Sequence, residues 1–164
     1  MKIIGVDPGL AATGLGIVTG SGDKVLGCSY GSIHTSKDAA LPQRLHRIYA
    51  KLAALVDHEK PDLIVIEEVF SLSRQPMSGI TLGQVSGVVL LAGYQAGIPV
   101  MEIAVREAKQ VLTGNGNASK SQLEMAVRRR LALVDPIRPY HASDALGLAL
   151  IGLYRNGNRH FDGR

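Results

Sequence analysis

The pattern of apolar and polar positions divides the first part of the chain into strands. The run Lys2–Asp7 predicts a buried strand that ends on an acid, and Gly14–Thr19 and Lys24–Thr35 predict two further strands. Because only short turns join these three strands, we expect an antiparallel meander. The continuous apolar run Leu63–Ile66 predicts a fourth strand, buried on both faces, that leads into two acids.

Apolar residues at helical spacing predict the remaining elements. The predicted helices are Leu41–Lys60, Gln75–Gly97, Val105–Leu112, Lys120–Leu133 and about Tyr140–Tyr154. Ile98–Ile103 is a short fifth strand, and Ser119 with Gln122 forms a capping-box pattern before the fourth helix. We read Thr113–Ala118 as a flexible loop. A meander followed by helices that alternate with two more strands predicts an α/β fold: a five-stranded mixed sheet flanked by helices.

Composition adds mainly exclusions. The chain has 164 residues, of which 46% are apolar and 20% charged, which is typical of one globular domain. We place that domain at residues 1–158 and expect 159–164 to form a flexible tail. Cys28 is the single cysteine, so an internal disulfide is impossible. With no signal peptide and no apolar run of about 18 residues, we expect a cytoplasmic protein without a membrane span.

Positive charge is concentrated in one segment of an otherwise balanced chain. Seven bases and three acids lie between Ala104 and Pro139, so this segment carries the whole net charge of +4. The bases are Arg106, Lys109, Lys120, Arg128, Arg129, Arg130 and Arg138. Such a segment favours a polyanionic partner, although three consecutive arginines are equally compatible with a solvated helix face.

Acids stand at the ends of two predicted strands. Asp7 ends the first strand, and Glu67 or Glu68 ends the fourth. Neighbouring strand residues point to opposite faces, so only one of the two glutamates can join Asp7, and residue parity alone leaves the choice open. His141 and Asp144, three positions apart, share one face of the last predicted helix. Taken singly, such an acid is more often a cap or turn former, and such a histidine more often belongs to the core.

Together, these acids and the histidine point to metal-assisted hydrolysis of a phosphodiester. Two divalent ions about 3.5–4 Å apart can activate the attacking water and stabilise the leaving oxygen. Carboxylates suit hard cations such as Mg²⁺ or Mn²⁺, which commonly use substrate phosphates as further ligands. The basic segment would attract the same kind of substrate.

Several short motifs carry a resemblance to a known family. They run in order along about residues 1–155: Gly5-Val6-Asp7-Pro8-Gly9 with Thr13-Gly14, Ile66-Glu67-Glu68-Val69-Phe70, Leu82-Gly83-Gln84, and His141-Ala142-Ser143-Asp144-Ala145-Leu146. The chain thereby resembles the bacterial RuvC-type Holliday junction resolvases, or crossover junction endodeoxyribonucleases. The resemblance implies a ribonuclease-H-like fold and a homodimer that places paired symmetric nicks in four-way junctions during recombination and repair. It also implies two Mg²⁺ or Mn²⁺ ions and a branch-migration complex of RuvA- and RuvB-type proteins as partner.

The resemblance assigns roles to the candidate catalytic residues. By it, Asp7, Glu67 and Asp144 are catalytic metal ligands, and His141 occupies a position where family members carry an acid or a histidine. His141 is therefore either a fourth ligand or a proton shuttle. Because imidazole is a softer donor than carboxylate, we expect more activity with Mn²⁺ than with Mg²⁺. Family members commonly carry glutamine where this chain has Glu68, which leaves the role of Glu68 open.

The resemblance also assigns DNA contacts. Lys109 and Lys120 match the family's DNA-contacting lysines, and Phe70 matches an aromatic that stacks on a junction base. Arg74, in the segment that follows Phe70, is a further predicted contact.

Glycines recur every fourth residue at Gly79, Gly83 and Gly87, so they share one face of the second helix. Each glycine costs a helix about 0.8–1 kcal/mol relative to alanine, so the stripe needs a packing reason. We favour close approach by the same helix of a second subunit. The alternative is close approach to the chain's own sheet.

Three other functions compete with this interpretation. An ATP-binding domain of the actin and sugar-kinase type shares the opening strand, acid and glycine turn, but 164 residues leave no room for its second lobe. A junction-binding module without catalysis and a related nuclease that acts on RNA remain alternatives. The loop before Lys120 misses the phosphate-binding P-loop pattern, because Ser119 replaces its last glycine and no strand precedes it.

Overall fold

The computed structural model describes residues 1–68 and 76–157, apart from the side chains of 76–78. The strands are β1 (Lys2–Asp7), β2 (Ala12–Ser21), β3 (Lys24–His34), β4 (Leu63–Glu67) and β5 (Val100–Ile103). The helices are α1 (Leu41–Glu59), α2 (Pro76–Gln95), α3 (Val105–Thr113), α4 (Lys120–Arg130) and α5 (Tyr140–Asn156). Every element predicted from the sequence is present in the described residues, in the predicted order.

The five strands form one mixed sheet in the order β3-β2-β1-β4-β5. β1 pairs antiparallel with β2, and β2 with β3, which confirms the meander. β4 lies parallel to β1 on its other side, and β5 lies parallel to β4. The carboxyl ends of β1 and β4 therefore meet at one edge of the sheet, where the candidate acids are.

Helices cover both faces of the sheet. Ile4 and Val6 of β1 pack against α1 and α2, with Leu52 and Val89 among their partners. The alternate residues, such as Ile3, pack against α3, α4 and α5 in the larger core cluster. The strand alternation thus sends successive side chains of β1 and β4 into two separate cores.

Some boundaries differ from the predicted ones. β2 is longer than expected at both ends, because Ala12 pairs with His34 and Ser21 pairs with Lys24. α1 ends at Glu59, where Lys60 adopts a left-handed backbone conformation with φ of 48°. α4 ends at Arg130 rather than Leu133, and Ala132 has a positive φ of 52°. The predicted capping box at Ser119 is formed, since its hydroxyl accepts from the Gln122 N–H and the Gln122 side chain accepts from the Ser119 N–H.

Candidate active site

The packing of α5 decides which acid of β4 joins Asp7. Asp7 follows the alternation of Ile3 and Gly5 and faces α5, where a side chain on Gly5 would meet Ala145. On β4, Val65 packs towards Gly152 of α5, so Glu67, two residues on, belongs to the same face. Glu68 lies just beyond the strand, with its N–H donated to the Ile103 carbonyl. The structure therefore brings Asp7 and Glu67 together, as the family motif predicts.

Three glycines allow α5 to lie directly on the sheet. A Cβ atom on Gly5 would lie 1.9 Å from the Ala145 carbonyl oxygen, and one on Gly14 would lie 2.0 Å from that of His141. A Cβ on Gly16 would lie 2.5 Å from the backbone nitrogen of Leu146. The sequence analysis did not identify these glycines as site residues. The sequence feature that could have identified them is the pair of glycines at alternating positions of β2, together with the small residues of the last helix.

The close approach places the first turn of α5 beside the end of β1. His141 Nδ1 lies 2.7 Å from Asp7 Oδ2, and the Asp7 residue is only 7% exposed. Asp144 is mostly buried, and its Oδ2 lies 4.0 Å from Nζ of Lys120 at the start of α4. Its other oxygen, Oδ1, is buried without a hydrogen-bond partner in the described part of the chain. Side chains from β1, β4, α4 and α5 thus converge at one edge of the sheet.

The raised pKa values of the acids at this edge of the sheet show that negative charge is in excess there. Burial, together with the neighbouring charges of Asp7 and Asp144, raises the pKa of Glu67 to about 7. Burial and the charge of Asp7 raise the pKa of Asp144 to about 6, while Lys120 and Lys109 oppose the shift. The hydrogen bond to Asp7 raises the pKa of His141. Carboxylates that resist ionisation beside one another are typical of sites that a cation completes.

The donor set fits hard divalent cations that retain other ligands. Three carboxylates and one imidazole lie within reach of one another, and one oxygen of Asp144 lacks a partner among the described residues. In residues 1–68 and 76–157, no three His, Cys, Asp or Glu side chains are placed so that they could hold one metal ion together. Mg²⁺ and Mn²⁺ sites commonly keep waters and add substrate phosphate oxygens, so an incomplete cage is compatible with them.

Part of the basic segment supports the fold. Arg128 pairs with the buried Glu124 at 3.2 Å and donates to the Val134 carbonyl, while Glu124 also accepts the Ile137 N–H. This network holds the connection between α4 and α5. Arg130 lies over the Tyr154 ring, with 5.5 Å between its guanidinium carbon and the ring centroid. These two arginines are therefore structural, and the sequence analysis did not foresee the role of Glu124.

The rest of the segment remains available to a partner. Arg106, Lys109 and Arg129 have no carboxylate partner within the described residues. Lys109 acts electrostatically on Asp144, which places it near the candidate site together with Lys120. The loop before α4 is tied by hydrogen bonds, including those from the Gly116 N–H to Gln110 and from the Asn117 N–H to Asn115. The predicted contacts Phe70 and Arg74 lie outside the described residues.

Comparison with known proteins identifies the class first. The fold matches that of RuvC from Thermus thermophilus in complex with its Holliday junction substrate, with a TM-score of 0.86, 32% identity and 94% of each chain covered. The yeast mitochondrial Holliday junction resolvase Ydc2 shares the fold at a TM-score of 0.65 and 11% identity, over 97% of this chain and 80% of that one. The predicted ribonuclease-H-like architecture is thereby confirmed.

The sequence then identifies the family. Residues 3–152 match the family model for the crossover junction endodeoxyribonuclease RuvC. The RuvC of Syntrophomonas wolfei is 39% identical over 154 residues, which cover 94% of this chain and 89% of that protein. The chain belongs to the RuvC family of crossover junction endodeoxyribonucleases. It is thus a nuclease, and the ATP-binding alternative is rejected. Among the described helices, none is long and apolar enough to cross a membrane.

Proposed function

We propose that this chain resolves four-way DNA junctions by metal-assisted phosphodiester hydrolysis, and that a homodimer places one nick in each of two strands. The observation that carries the proposal is the convergence of Asp7, Glu67, His141 and Asp144 at one sheet edge beside Lys120. The Thermus relative whose structure contains a Holliday junction supports the substrate class.

The carboxylates of Asp7, Glu67 and Asp144 would hold two Mg²⁺ or Mn²⁺ ions, with His141 as a fourth ligand or as a proton shuttle. When bound, such ions supply an activated water and stabilise the charge on the leaving oxygen. The Asp7 carboxylate accepts a hydrogen bond from Nδ1–H of His141. Nε2 is therefore the imidazole nitrogen that can bind a cation or exchange a proton. Hydrogen bonding through one ring nitrogen fixes the orientation of the other.

Cationic side chains would position the phosphate. The Nζ atom of Lys120 is the nearest cationic group to Asp144 among the described residues, and the Lys109 charge also reaches this carboxylate. A phosphate that enters between these lysines and the acids would be attracted by both lysines while it completes the site. Phe70 remains a proposed junction contact by resemblance, and Arg74 remains a further proposed contact.

The surface of α2 supports a homodimer. A Cβ atom on Gly83 or Gly87 would meet no atom within 4 Å, so these glycines do not approach the chain's own sheet. Along the same side, Ile80, Leu91 and Tyr94 are 57%, 50% and 82% exposed. The twenty residues of α2 include no charged side chain. An uncharged helix with an exposed apolar side needs a partner, and a two-fold junction favours a second copy of the chain.

Asp7→Asn tests the site. Without the Asp7 carboxylate, the acids cannot hold two cations, so we expect nicking of a synthetic four-way junction to be lost. Junction binding should persist, because phosphate contacts rather than the acids supply most of the affinity. Lys120→Ala should instead weaken binding and reduce its salt dependence by about one phosphate contact.

The controls for this experiment separate the remaining functions. Nicking is compared on a four-way junction, a linear duplex and an RNA hairpin, each with Mg²⁺ and with Mn²⁺. Selective cleavage of the junction supports the proposal. Binding without cleavage by the wild-type protein would favour a non-catalytic module, and cleavage of RNA alone would favour a ribonuclease. Loss of binding in Asp7→Asn would show that Asp7 is structural.

His141→Asp tests the role of the histidine. We expect the wild-type protein to nick faster with Mn²⁺ than with Mg²⁺ at equal concentration, because imidazole favours the later transition metal. If His141 is a ligand, the variant should keep its activity and shift its preference towards Mg²⁺. An equal slowing with both metals, together with no Mn²⁺ advantage in the wild type, would contradict the ligand role and favour the shuttle.

The wider setting follows from the same proposal. A branch-migration complex is the proposed protein partner, and the cytoplasm is the proposed compartment, since a chromosomal DNA substrate and a single cysteine both suit it. We also keep residues 1–158 as the proposed single domain, with 159–164, which lie outside the described residues, as its tail.

A further inference from the structure

A second concentration of positive charge lies at the junction of β3 and α1. Between residues 34 and 51 there are four bases and one acid. The bases are Lys37, Arg44, Arg47 and Lys51, and the acid is Asp38. This group stands apart from the basic segment at Ala104–Pro139, and the mechanism proposed above does not use it.

Arg44 and Arg47, the two arginines of this group, line an open cleft of about 650 Å³. Arg44 donates from Nε to the Thr35 hydroxyl at 2.8 Å, and Arg47 donates from Nε to the His34 carbonyl at 2.9 Å. Both partners are uncharged, and neither arginine has a carboxylate partner within the described residues. Their terminal guanidinium nitrogens make no hydrogen bond there either. The cleft thus holds two oriented positive charges that nothing in the described chain neutralises.

Hydroxyl and amide side chains complete the cleft wall. Ser36 and Gln43 line it and could donate to an oxyanion. No carboxylate is among the described residues that line the cleft, and the exposed Asp38 accepts from the lining residue Ser36 at 3.4 Å. Lys37, its neighbour in sequence, offsets this charge.

The cleft is located at the same edge of the sheet as the candidate active site. His34 at the end of β3 pairs with Ala12, and Gly14 pairs with Asp7, so β1 and β3 end at this edge and β2 begins there. Asp7 aligns with Ser32 of β3 through Gly14, at a lateral distance of two strand spacings of about 4.8 Å each, and His34 lies two residues further along β3. The end of β3 is therefore about 12 Å from that of β1. Thr35 also donates its hydroxyl to the Leu10 carbonyl, in the turn that follows Asp7.

We propose that this cleft, which we call the Arg44–Arg47 cleft, binds the phosphate backbone of a junction arm on the side of the active site away from Lys109 and Lys120. A duplex advances about 3.4 Å per nucleotide on each strand, so the separation of about 12 Å between the ends of β1 and β3 corresponds to roughly three to four nucleotides. Guanidinium groups with free terminal nitrogens suit phosphate in a bidentate geometry. The proposal rests on the proposed function, because it extends the same substrate beyond the cleavage point.

Arg47→Gln is the direct test, since Arg47 is exposed whereas Arg44 also supports the turn after Asp7. Binding of a synthetic four-way junction is measured without divalent ions between about 50 and 200 mM salt. The slope of log K against log salt should become shallower by about 0.9, the loss of one phosphate contact. Arg47→Lys, which keeps the charge, should retain the wild-type slope.

Two further variants control for charge and folding. Lys51→Gln removes the same charge from the same helix outside the cleft lining and should leave the slope unchanged. Gln43→Glu breaks no hydrogen bond of the described structure but adds a negative charge to the cleft wall, so it should weaken junction binding, most strongly at low salt.

The outcomes distinguish this proposal from the proposed function. If the salt slopes of wild type and Arg47→Gln are equal, or if Lys51→Gln makes the slope as shallow as Arg47→Gln does, the cleft is not a phosphate site. Equal slopes are also the result expected if the cleft binds an acidic protein instead. If Lys120→Ala still weakens binding in that case, the resolvase function stands. A wild-type protein that binds a linear duplex as tightly as a junction would contradict the junction selectivity, while a shallower slope of Arg47→Gln on the duplex would still support the cleft.

Discussion

The glycines of β1 and β2 that face α5 and the glycines of α2 serve opposite purposes. Gly5 and Gly14 lie beneath α5, where an added Cβ atom would overlap the helix backbone at 1.9 and 2.0 Å. Gly83 and Gly87 lie on α2, where an added Cβ atom would meet nothing within 4 Å. The first pair allows a helix of the same chain to come close. The second pair leaves clearance that only another molecule can use.

Glycine thus contributes in one place to the catalytic site and in another to the surface proposed for assembly. Under α5, the missing side chains bring His141 and Asp144 to Asp7, so the cost of glycine is offset inside the chain. On α2, the helix carries about 0.8–1 kcal/mol of unfavourable propensity at each glycine with no internal compensation. Substitution at the two sets should therefore affect different properties.

Gly14→Ala should have the largest effect. Its methyl group would displace the backbone of His141, because a carbonyl oxygen at 2.0 Å cannot be avoided by a rotamer change. We expect a loss of about 1–3 kcal/mol in the free energy of unfolding. Nicking should fall by about 100-fold, since a displacement of about 1 Å at a catalytic group can cost that much. Denaturant unfolding and single-turnover nicking measure the two effects.

Gly31→Ala is the matched control for that substitution. Gly31 is also a strand glycine, but an added Cβ atom there meets no atom within 4 Å. Its nicking rate should equal that of the wild type. Full activity in a folded Gly14→Ala protein would show that the glycine clearance does not position the site.

Gly83→Leu should change assembly rather than folding. The leucine would occupy the clearance on α2, so we expect a shift from dimer to monomer in sedimentation. The unfolding free energy of the monomer should stay unchanged or rise slightly, because leucine is the better helix former. Gly27→Leu, at another open glycine on β3, should leave the oligomeric state unaltered. A variant that unfolds without passing through a folded monomer would mean that Gly83 packs internally.

A pH dependence of stability should originate at the candidate active site. The pKa of Asp144 is raised from 3.8 to about 6 and that of Glu67 from 4.5 to about 7, so the folded chain keeps protons that the unfolded chain has released. The free energy of unfolding should therefore fall as pH rises from about 4 to 7 without divalent ions. His141, whose pKa is raised above 6.5, contributes stability below pH 6.5 that is lost as pH rises further, so it acts in the same direction.

Thermal melts with and without Mg²⁺ measure this effect. The melting temperature should fall by several degrees or more as pH rises, since each unit of pKa shift corresponds to about 1.4 kcal/mol and 1 kcal/mol corresponds to about 2–4 °C for a chain of this size. Mg²⁺ should raise it more near pH 8 than near pH 5.5, because protons compete with the cation. Asp144→Asn should flatten the pH dependence, whereas Asp38→Asn, at an exposed turn, should not. An Mg²⁺ effect that is independent of pH would contradict this account.

Much of the fold could be predicted from local patterns. The strand alternation, the continuous apolar run Leu63–Ile66 and the capping box at Ser119 each depend on neighbours in sequence, and all are confirmed. The helix ends were less accurate. Lys60 and Ala132 adopt left-handed backbone conformations, which could not be predicted from their residue types.

Only part of the candidate site could be predicted from the sequence. Asp7, His141 and Asp144 stood out because acids at strand ends and a His–Asp pair on one helix face are uncommon combinations. The support of the site did not stand out. Glu124 is a single acid in a basic helix, and only the structure shows that it holds Arg128 and the Ile137 N–H before α5.

By itself, the sequence determined the order of the elements, the separation of each strand into two faces and the set of candidate acids. These features depend on the period of two or 3.6 residues and on residue chemistry, which are local properties. The tertiary structure decided which face α5 covers, and hence that Glu67 rather than Glu68 joins Asp7. It also decided that Arg128 is bound within the chain while Arg47 has no carboxylate partner in its described part. Such choices depend on packing between residues far apart in sequence, and no local period encodes them.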